Sequence, residues 1–368
     1  MKQLTVNLAE RSYDIYIGKK LLLKLSRYLQ AHVKGSKAII VTDTNVSQYW
    51  LSFVEDALKE LKKNYHVITV APGENSKTFD CYAQCCNDAL YWGIDRKTTL
   101  IALGGGVVGD LCGFLAASLL RGVSFIQIPT SLLAQVDSSV GGKTGINAGP
   151  GKNLVGAFWQ PRLVLADVTS LDSLSERQLK SGYAEVIKYG LIHKPAFFDW
   201  LNENNDRILQ KDNDTLVEIV YESCQSKADI VAADEHENGQ RALLNMGHTF
   251  GHVLETFTGY SDKLYHGEAV AIGMQLAFDY SVTLGICPAN DSERCRALLT
   301  KAGLPSSLKQ LSQGQSWTAD EYIDLMKKDK KTKDDKITLI LAKSIGNAFV
   351  DKEVDVAPLY QFLTDNLG

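Results

Sequence analysis

Thr99-Leu100-Ile101-Ala102-Leu103-Gly104-Gly105-Gly106-Val107-Val108-Gly109-Asp110 runs from a continuous apolar segment straight into a cluster of glycines. The apolar run reads as a strand buried on both faces of a parallel sheet, and the small, apolar residues after the glycines read as a helix. Gly104, Gly106 and Gly109 satisfy Gly-x-Gly-x-x-Gly in that strand-to-helix setting. Lacking side chains there, the backbone amides and the positive end of the helix approach a pyrophosphate closely. The stretch predicts a nucleotide-binding α/β domain.

The neighbouring segments repeat the alternation. Leu4, Val6, Leu8 and Tyr13, Ile15, Ile17 read as two strands joined at Ala9-Glu10-Arg11-Ser12, and a helix is expected from Gly18 to Leu29. Lys37 to Thr42, Tyr65 to Val70, Ser124 to Ile128 and Leu163 to Asp167 read as further strands, with helices over Val46 to Asn64 and Thr78 to Gly93. Polar residues at a strand's carboxyl end line the ligand crevice of an open α/β sheet, which singles out Asp43, Asn45, Thr130 and Ser131. The loop from Pro72 to Lys77 carries Glu74 and Lys77, and reads equally as a ribose or adenine contact and as a solvated turn. The acid expected about twenty residues beyond the glycines is missing, since no Asp or Glu lies between Asp110 and Asp137. Asp43 can supply it from another strand, which points to a strand order unlike that of the standard dehydrogenase.

Asp137 to Asn147 is a polar, glycine-rich loop, followed by Gly151-Lys152-Asn153-Leu154. Lys143, Lys152 and Asn153 among glycines suit anion recognition by ammonium and backbone groups, and a flexible surface loop has the same composition. After Asp167 the strand signals almost stop until a short hairpin around Ile345-Gly346-Asn347. The expected organisation is an α/β nucleotide-binding domain over 1–172, with a mostly parallel, Rossmann-like sheet of non-standard order, and a mainly α-helical metal- and substrate-binding domain over 173–368.

The 368 residues and 45% hydrophobic content suit about two globular domains. A net charge of -4 gives no reason to expect nucleic acid or membrane as a partner. The longest apolar run, Leu111 to Leu120, is too short to span a bilayer and ends at Arg121, and the N-terminus lacks a signal-peptide core. Seven cysteines fit neither a disulfide framework nor a zinc ribbon, which suggests unpaired thiols in a reducing, cytoplasmic setting. Cys85 and Cys86 read as lying on a helix's buried face. The mixed-charge run Lys327 to Lys336 reads as solvated.

Within the helical half, Asn245-Met246-Gly247-His248-Thr249-Phe250-Gly251-His252 places two imidazoles one turn apart. Such a pair closes on one metal ion or one anionic substrate, or is a core or surface pair. His266, in Tyr265-His266-Gly267-Glu268, and Glu185, in Ala184-Glu185-Val186-Ile187-Lys188, complete a carboxylate and imidazole set common in catalytic zinc sites. Lys143, Lys152, Arg121 and Lys330 add cations that a simple alcohol would not need. Together they suggest redox chemistry on a hydroxylated, anionic small molecule in an interdomain cleft.

The chain resembles the 3-dehydroquinate synthase family over nearly its whole length. The resemblance rests on six ordered motifs: Gly104 to Asp110, Pro129 to Lys143, Gly151 to Leu154, Ala184 to Lys188, Arg241 to His252, and His266 to Glu268. It implies a dehydroquinate synthase-like fold and a carbon–oxygen lyase of the shikimate pathway, the route to aromatic amino acids. The reaction implied turns 3-deoxy-D-arabino-heptulosonate 7-phosphate into 3-dehydroquinate and phosphate. By this analogy NAD+ oxidises the C5 hydroxyl, phosphate leaves, the same NADH returns the hydride, and the opened ring closes by an intramolecular aldol step. The departing phosphate helps to remove the proton.

Carried over by motif, Glu185, His248 and His266 resemble the ligands of a zinc ion for which cobalt can substitute. Asp43, Asn45, Glu74, Lys77, Gly105, Gly106, Val107, Asp110, Thr130, Ser131, Lys143 and Lys152 resemble NAD contacts. Asp137, Lys143, Asn153, Lys188, Arg241, Asn245, His252 and Lys330 resemble contacts to the phosphorylated sugar acid. Lys188 and Arg241 suit its carboxylate; Lys143, Asn153, His252 and Lys330 suit its phosphate. Arg121 resembles a residue that reaches the phosphate from a neighbouring subunit, which implies a homodimer. Other readings are another sugar phosphate cyclase, a metal-dependent polyol dehydrogenase, and a catalytically inactive NAD-binding scaffold.

Overall fold

The computed structural model describes residues 1–149, 151–235, 239–311, 317–328 and 336–367. The chain forms two compact units: Met1–Ser175 with Lys211–Glu235, and Glu176–Gln210 with His236–Gly368.

In the first unit, strands β1 (Lys2–Val6), β2 (Tyr13–Gly18), β3 (Lys37–Asp43), β4 (Asn64–Val70), β5 (Thr99–Gly104), β6 (Ser124–Pro129), β7 (Lys143–Ala148), β8 (Gly151–Phe158) and β9 (Leu163–Asp167) alternate with helices α1 (Leu25–Leu29), α2 (Thr44–Glu60), α3 (Phe79–Tyr91) and α4 (Gly106–Ser118). The main sheet has the order β1-β2-β9-β6-β5-β3-β4, and only β1 and β2 pair antiparallel within it. Strands β3, β5, β6 and β9 are buried at nearly every position because helices cover both faces. Ile39, Val41, Leu100 and Ala102 pack with Cys85 of α3 and with Leu111 and Leu115 of α4. The alternate residues Ala38, Ile40, Ile101 and Leu103 pack with Leu25 and Leu29 of α1 and with Val54 and Leu58 of α2.

The chain steps outward from β3 to β4, then returns to the other side of β3 for β5 and β6. A crevice opens at such a reversal, outside the carboxyl ends of the strands. Asp43 and Gly104 end the two strands that flank it, and Pro129 ends the next. The non-standard strand order expected from the misplaced acid is present.

Three expectations need correction. The segment Asp137 to Asn147 is not one open loop: Ala134–Ser138 coils into a wide helical turn, and Lys143–Ala148 forms β7 of an antiparallel hairpin with β8. A Cβ on Gly156 would lie 2.0 Å from the Thr144 carbonyl oxygen, so at this point a glycine serves strand contact rather than mobility. The helix expected from Gly18 reduces to a 3-10 turn, Leu22–Lys24, and the short α1, because Asp167 captures the Lys20 and Leu22 amides, each at 2.9 Å. Cys85 is buried, but Cys86 is only half-buried; all seven cysteines are free thiols. The segment Lys211–Glu235 groups with the first unit.

The second unit begins with α5 (Glu176–His193) and α6 (Pro195–Leu209). Helix α7 (Asn213–Ala233) belongs to the first unit, where it packs on β1 and β2 and where Cys224 donates to the Gln135 carbonyl at 3.1 Å. The second unit resumes with α8 (His248–Phe257), α9 (His266–Thr283), α10 (Ala289–Lys301), α11 (Ala319–Lys328), the hairpin β10 (Leu339–Ser344) and β11 (Asn347–Asp351), and α12 (Val356–Leu367). Among the described residues no helix is long and apolar enough to cross a membrane.

Candidate active site

Three helices of the second unit bring Glu185, His248 and His266 together, and glycines set their spacing. A Cβ on Gly267 would lie 1.9 Å from the Ser181 carbonyl oxygen, so the start of α9 touches α5 backbone to backbone. The Gly267 amide donates to Ser181 Oγ at 3.0 Å in the same contact. On the other side of α9, a Cβ on Gly273 would lie 2.0 Å from the Gly247 carbonyl oxygen, which draws the start of α8 against it. Gly247 itself has φ 80°, the left-handed region that favours glycine, and this turn aims His248 inward.

The result is a three-residue cluster whose donor atoms all lie within 4.8 Å of one another. His248 Nε2 is 3.7 Å and His266 Nε2 is 3.5 Å from Glu185 Oε1. The far nitrogens are also held: His248 Nδ1 lies 3.2 Å from the Met246 carbonyl, and His266 Nδ1 lies 3.4 Å from buried Glu255. Imidazoles so oriented present one nitrogen to a common point, the arrangement metal-binding histidines show. Burial alone would lower the His266 pKa, but Glu255 and Glu185 outweigh it and push it up to about 10. One carboxylate and two imidazoles with a shared focus fit a zinc-like ion.

The other expected residues of this unit gather nearby in part. The His252 ring stands edge-on to His248, with centroids 5.6 Å apart. Arg241 and Asn245 lie on the turn Gln240–Asn245, which packs on α5, and Arg241 is buried. Lys188, expected at a substrate carboxylate, is buried and ion-paired with Glu185 one turn before it. Lys330 lies outside the described residues.

In the first unit the dinucleotide expectation rests on a contrast between helix ends. Asp43 caps α2 by accepting the Asn45 and Val46 amides, at 2.9 and 3.0 Å, and Thr78 caps α3. Gly105 precedes α4 at the same sheet edge and gives it no side-chain cap. A Cβ on Gly105 would meet Ser131 Oγ at 3.3 Å, and one on Gly106 would meet Ser138 Oγ at 3.1 Å. This is a bare helix end in a polar cradle, which suits a pyrophosphate. Val107 continues the first turn, and Thr130 and Ser131 follow β6 beside it.

Glu74, Lys77, Asp110 and Asn153 form one network. Lys77 donates to Asp110 at 2.7 Å and to Asn153 Oδ1, and lies 3.6 Å from Glu74. Asn147 closes it, donating to Glu74 at 2.9 Å and accepting the Asn153 amide at 2.9 Å. Burial acts to lower the Lys77 pKa, but Asp110 and Glu74 outweigh it and hold it above the ordinary lysine value. Burial also pulls Asp110 toward its neutral form, yet the direct ammonium contact favours the ion pair. Lys143 and Lys152 stand on the β7–β8 hairpin. Arg121 is exposed at the bend after α4, about 20 Å along that helix from the glycine turn.

Two partners escaped the sequence reading. Lys227 of α7, almost buried, holds Asp137 through its carboxylate at 2.8 Å and its carbonyl at 2.7 Å, and a single lysine in an amphipathic helix gives no signal. Glu255 was findable, since it lies seven residues after His248 on the same face of α8.

Residues 67–181 match the family model for the N-terminal part of 3-dehydroquinate synthase, and residues 182–332 match that for the C-terminal part. The chain is 49% identical over 354 residues to the 3-dehydroquinate synthase of Rhodospirillum rubrum, covering 96% of this chain and 92% of that protein. It is 47% identical over 366 residues to that of Caulobacter vibrioides, covering 99% of both. Among solved structures, 2-deoxy-scyllo-inosose synthase, complexed with carbaglucose-6-phosphate, NAD+ and Co2+, superposes with a TM-score of 0.87 at 24% identity over 100% of both chains. The 2-epi-5-epi-valiolone synthase of Streptomyces hygroscopicus, with NAD+ and Zn2+ bound, gives 0.86 at 24% over 97% of both. At that identity the two share the fold. The full-length matches to the curated relatives carry more, and this chain belongs to the 3-dehydroquinate synthase family.

Proposed function

We propose that the chain converts 3-deoxy-D-arabino-heptulosonate 7-phosphate to 3-dehydroquinate and phosphate, with NAD+ and a divalent ion, zinc or cobalt, as resident cofactors. The observation that carries the reading is the convergence of Glu185, His248 and His266 on one point, in a chain of this family. When bound, NAD+ supplies a reversible hydride acceptor and the metal supplies Lewis-acid polarisation of substrate oxygens.

The chain's own residues bind and orient. Glu185, His248 and His266 would hold the metal. Gly105, Gly106 and Val107 would receive the pyrophosphate at the bare end of α4, with Asp43 and Asn45 toward a ribose. Glu74, Lys77, Asp110, Thr130, Ser131, Lys143 and Lys152 would complete the dinucleotide site. Lys188 and Arg241 would meet the substrate carboxylate, while Lys143, Asn153, His252 and Lys330 hold its phosphate. Asp137, fixed by Lys227, and Asn245 would meet hydroxyls. Those phosphate contacts keep the leaving group beside the carbon that loses its proton, so the phosphate itself accepts that proton. We further propose a homodimer, in which Arg121 serves the partner's phosphate site, working in the cytoplasm.

Phosphate release from a panel of sugar phosphates, with NAD+ and with or without a chelator, tests the reading. Release from the heptulosonate phosphate, abolished by the chelator and without NADH accumulation, is expected. Turnover of heptulose 7-phosphate alone would sink the substrate assignment, and stoichiometric NADH would favour a polyol dehydrogenase.

A further inference from the structure

Beside the Ser181 contact, Arg177 also ties the start of α9 to α5. Arg177, on the first turn of α5, donates through Nε to Glu268 Oε1 at 2.6 Å and through Nη2 to Glu268 Oε2 at 2.8 Å. The same guanidinium donates to the carbonyls of Asp262 and Lys263, at 2.8 and 3.0 Å, and its carbon lies 4.1 Å from the centre of the Tyr265 ring. Glu268 in turn accepts the Tyr265 amide at 2.8 Å and closes the capping turn of α9. His266 is the next residue, so these contacts grip the backbone on both sides of it.

We propose that Arg177 is a positioning residue for the metal centre, fixing the backbone from Asp262 to Glu268 and so setting where His266 stands relative to Glu185. The inference rests on the reading of Glu185, His248 and His266 as metal ligands. Glu185 lies about two turns further along the same helix as Arg177, so one rigid element carries both a ligand and the clamp on another ligand. The cluster draws its ligands from three helices, and His266 is the first residue of α9, directly after the segment that Arg177 holds. A planar fork is required: one ammonium at this position cannot serve two carboxylate oxygens and two carbonyls together. As a stabilising element the pair is modest, because the Arg177 side chain is 44% exposed. Its effect on ligand geometry is therefore separable from its effect on folding.

The test compares Arg177→Lys and Arg177→Gln with the parent chain, all full-length and stripped of metal. Zinc affinity is read by competition with a chromophoric chelator, and thermal melting and NAD+ binding are measured in parallel. Both variants are expected to bind zinc about 10-fold to 100-fold more weakly, the range seen when outer partners of metal ligands are removed. Metal-free melting and NAD+ binding should stay at the parent's values. Parent-like zinc affinity in both variants overturns the proposal, as does a loss that appears only in step with unfolding of the metal-free protein. His266→Ala keeps the two failures apart: if it binds zinc as the parent does, the metal-centre reading falls first. If only His266→Ala loses zinc, the clamp falls alone.

Discussion

Replacing Gly267 by alanine should break the metal cluster without touching a ligand. The new Cβ would lie 1.9 Å from the Ser181 carbonyl oxygen and 2.5 Å from its carbon, and ordinary contact begins at 3.4 Å. Both sides of the clash are helix backbone, so relief means moving α9 off α5 by about 1.5 Å, the shortfall to ordinary contact. His266 Nε2 and Glu185 Oε1 stand 3.5 Å apart, and the same displacement takes them to about 5.0 Å. Two donors on one zinc at about 2.1 Å each can be no more than about 4.2 Å apart, so one ligand is lost. We expect zinc affinity to fall at least about 100-fold. Stability should fall by about 1–3 kcal/mol from overpacking, offset by up to about 1 kcal/mol of helix propensity. Chelator competition and thermal melting read the two effects. Gly149→Ala, with nothing within 4 Å of the added carbon, is the control. A Gly267→Ala protein with parent zinc affinity and melting would refute the reasoning.

Three further outcomes are expected. The His266 proton must leave before a metal binds, and its pKa in the metal-free chain is about 10, so zinc affinity should rise up to roughly tenfold per pH unit from neutrality toward that value. A flat titration by the same chelator assay contradicts this. Lys77→Met should destabilise the first unit by about 3 kcal/mol in urea unfolding, because Asp110 and Glu74 lose the ammonium that lies between them. Since the Lys77 pKa is raised, its contribution is complete below the ordinary 10.5 and is lost only as pH climbs past the raised value, so a loss near neutrality would count against it. His266→Ala should leave a folded chain with negligible phosphate release and no retained zinc; full metal occupancy in the variant would remove His266 from the ligand set.

The sheet was legible because its code is local. Leu100 to Leu103 is apolar at each position and gives way at once to glycines, and the absent acid after Asp110 already pointed to Asp43 on a neighbouring strand. The three-residue cluster was reached from residue types and from resemblance, since Glu185 and His248 lie far apart in sequence and no periodicity joins them. What escaped depends on contacts made at long sequence separation. The return of α7 to the first unit is decided by packing on β1 and β2, which its own amphipathic pattern does not name. The glycines of Lys143 to Phe158 looked like a loop because composition does not distinguish a glycine needed for mobility from one needed for close approach. Lys227 and Glu255 act through partners, Asp137 and His266, that must be placed first.

The backbone contacts at Gly267 and Gly273 also bear on how the ion is exchanged. Where ligands are spaced by side-chain packing or by the ion itself, removing the metal loosens the surrounding helices, and part of the binding free energy is consumed in refolding them. Here carbonyl oxygens of Ser181 and Gly247 set the spacing, and they do so whichever ion is present. Stripping and refilling should therefore be repeatable cycles rather than rounds of unfolding, and ions of similar radius should enter the same preset frame at little structural cost. The selectivity of the site would then rest on the one oxygen and two nitrogens that face the ion, and its durability on side chains the glycines lack.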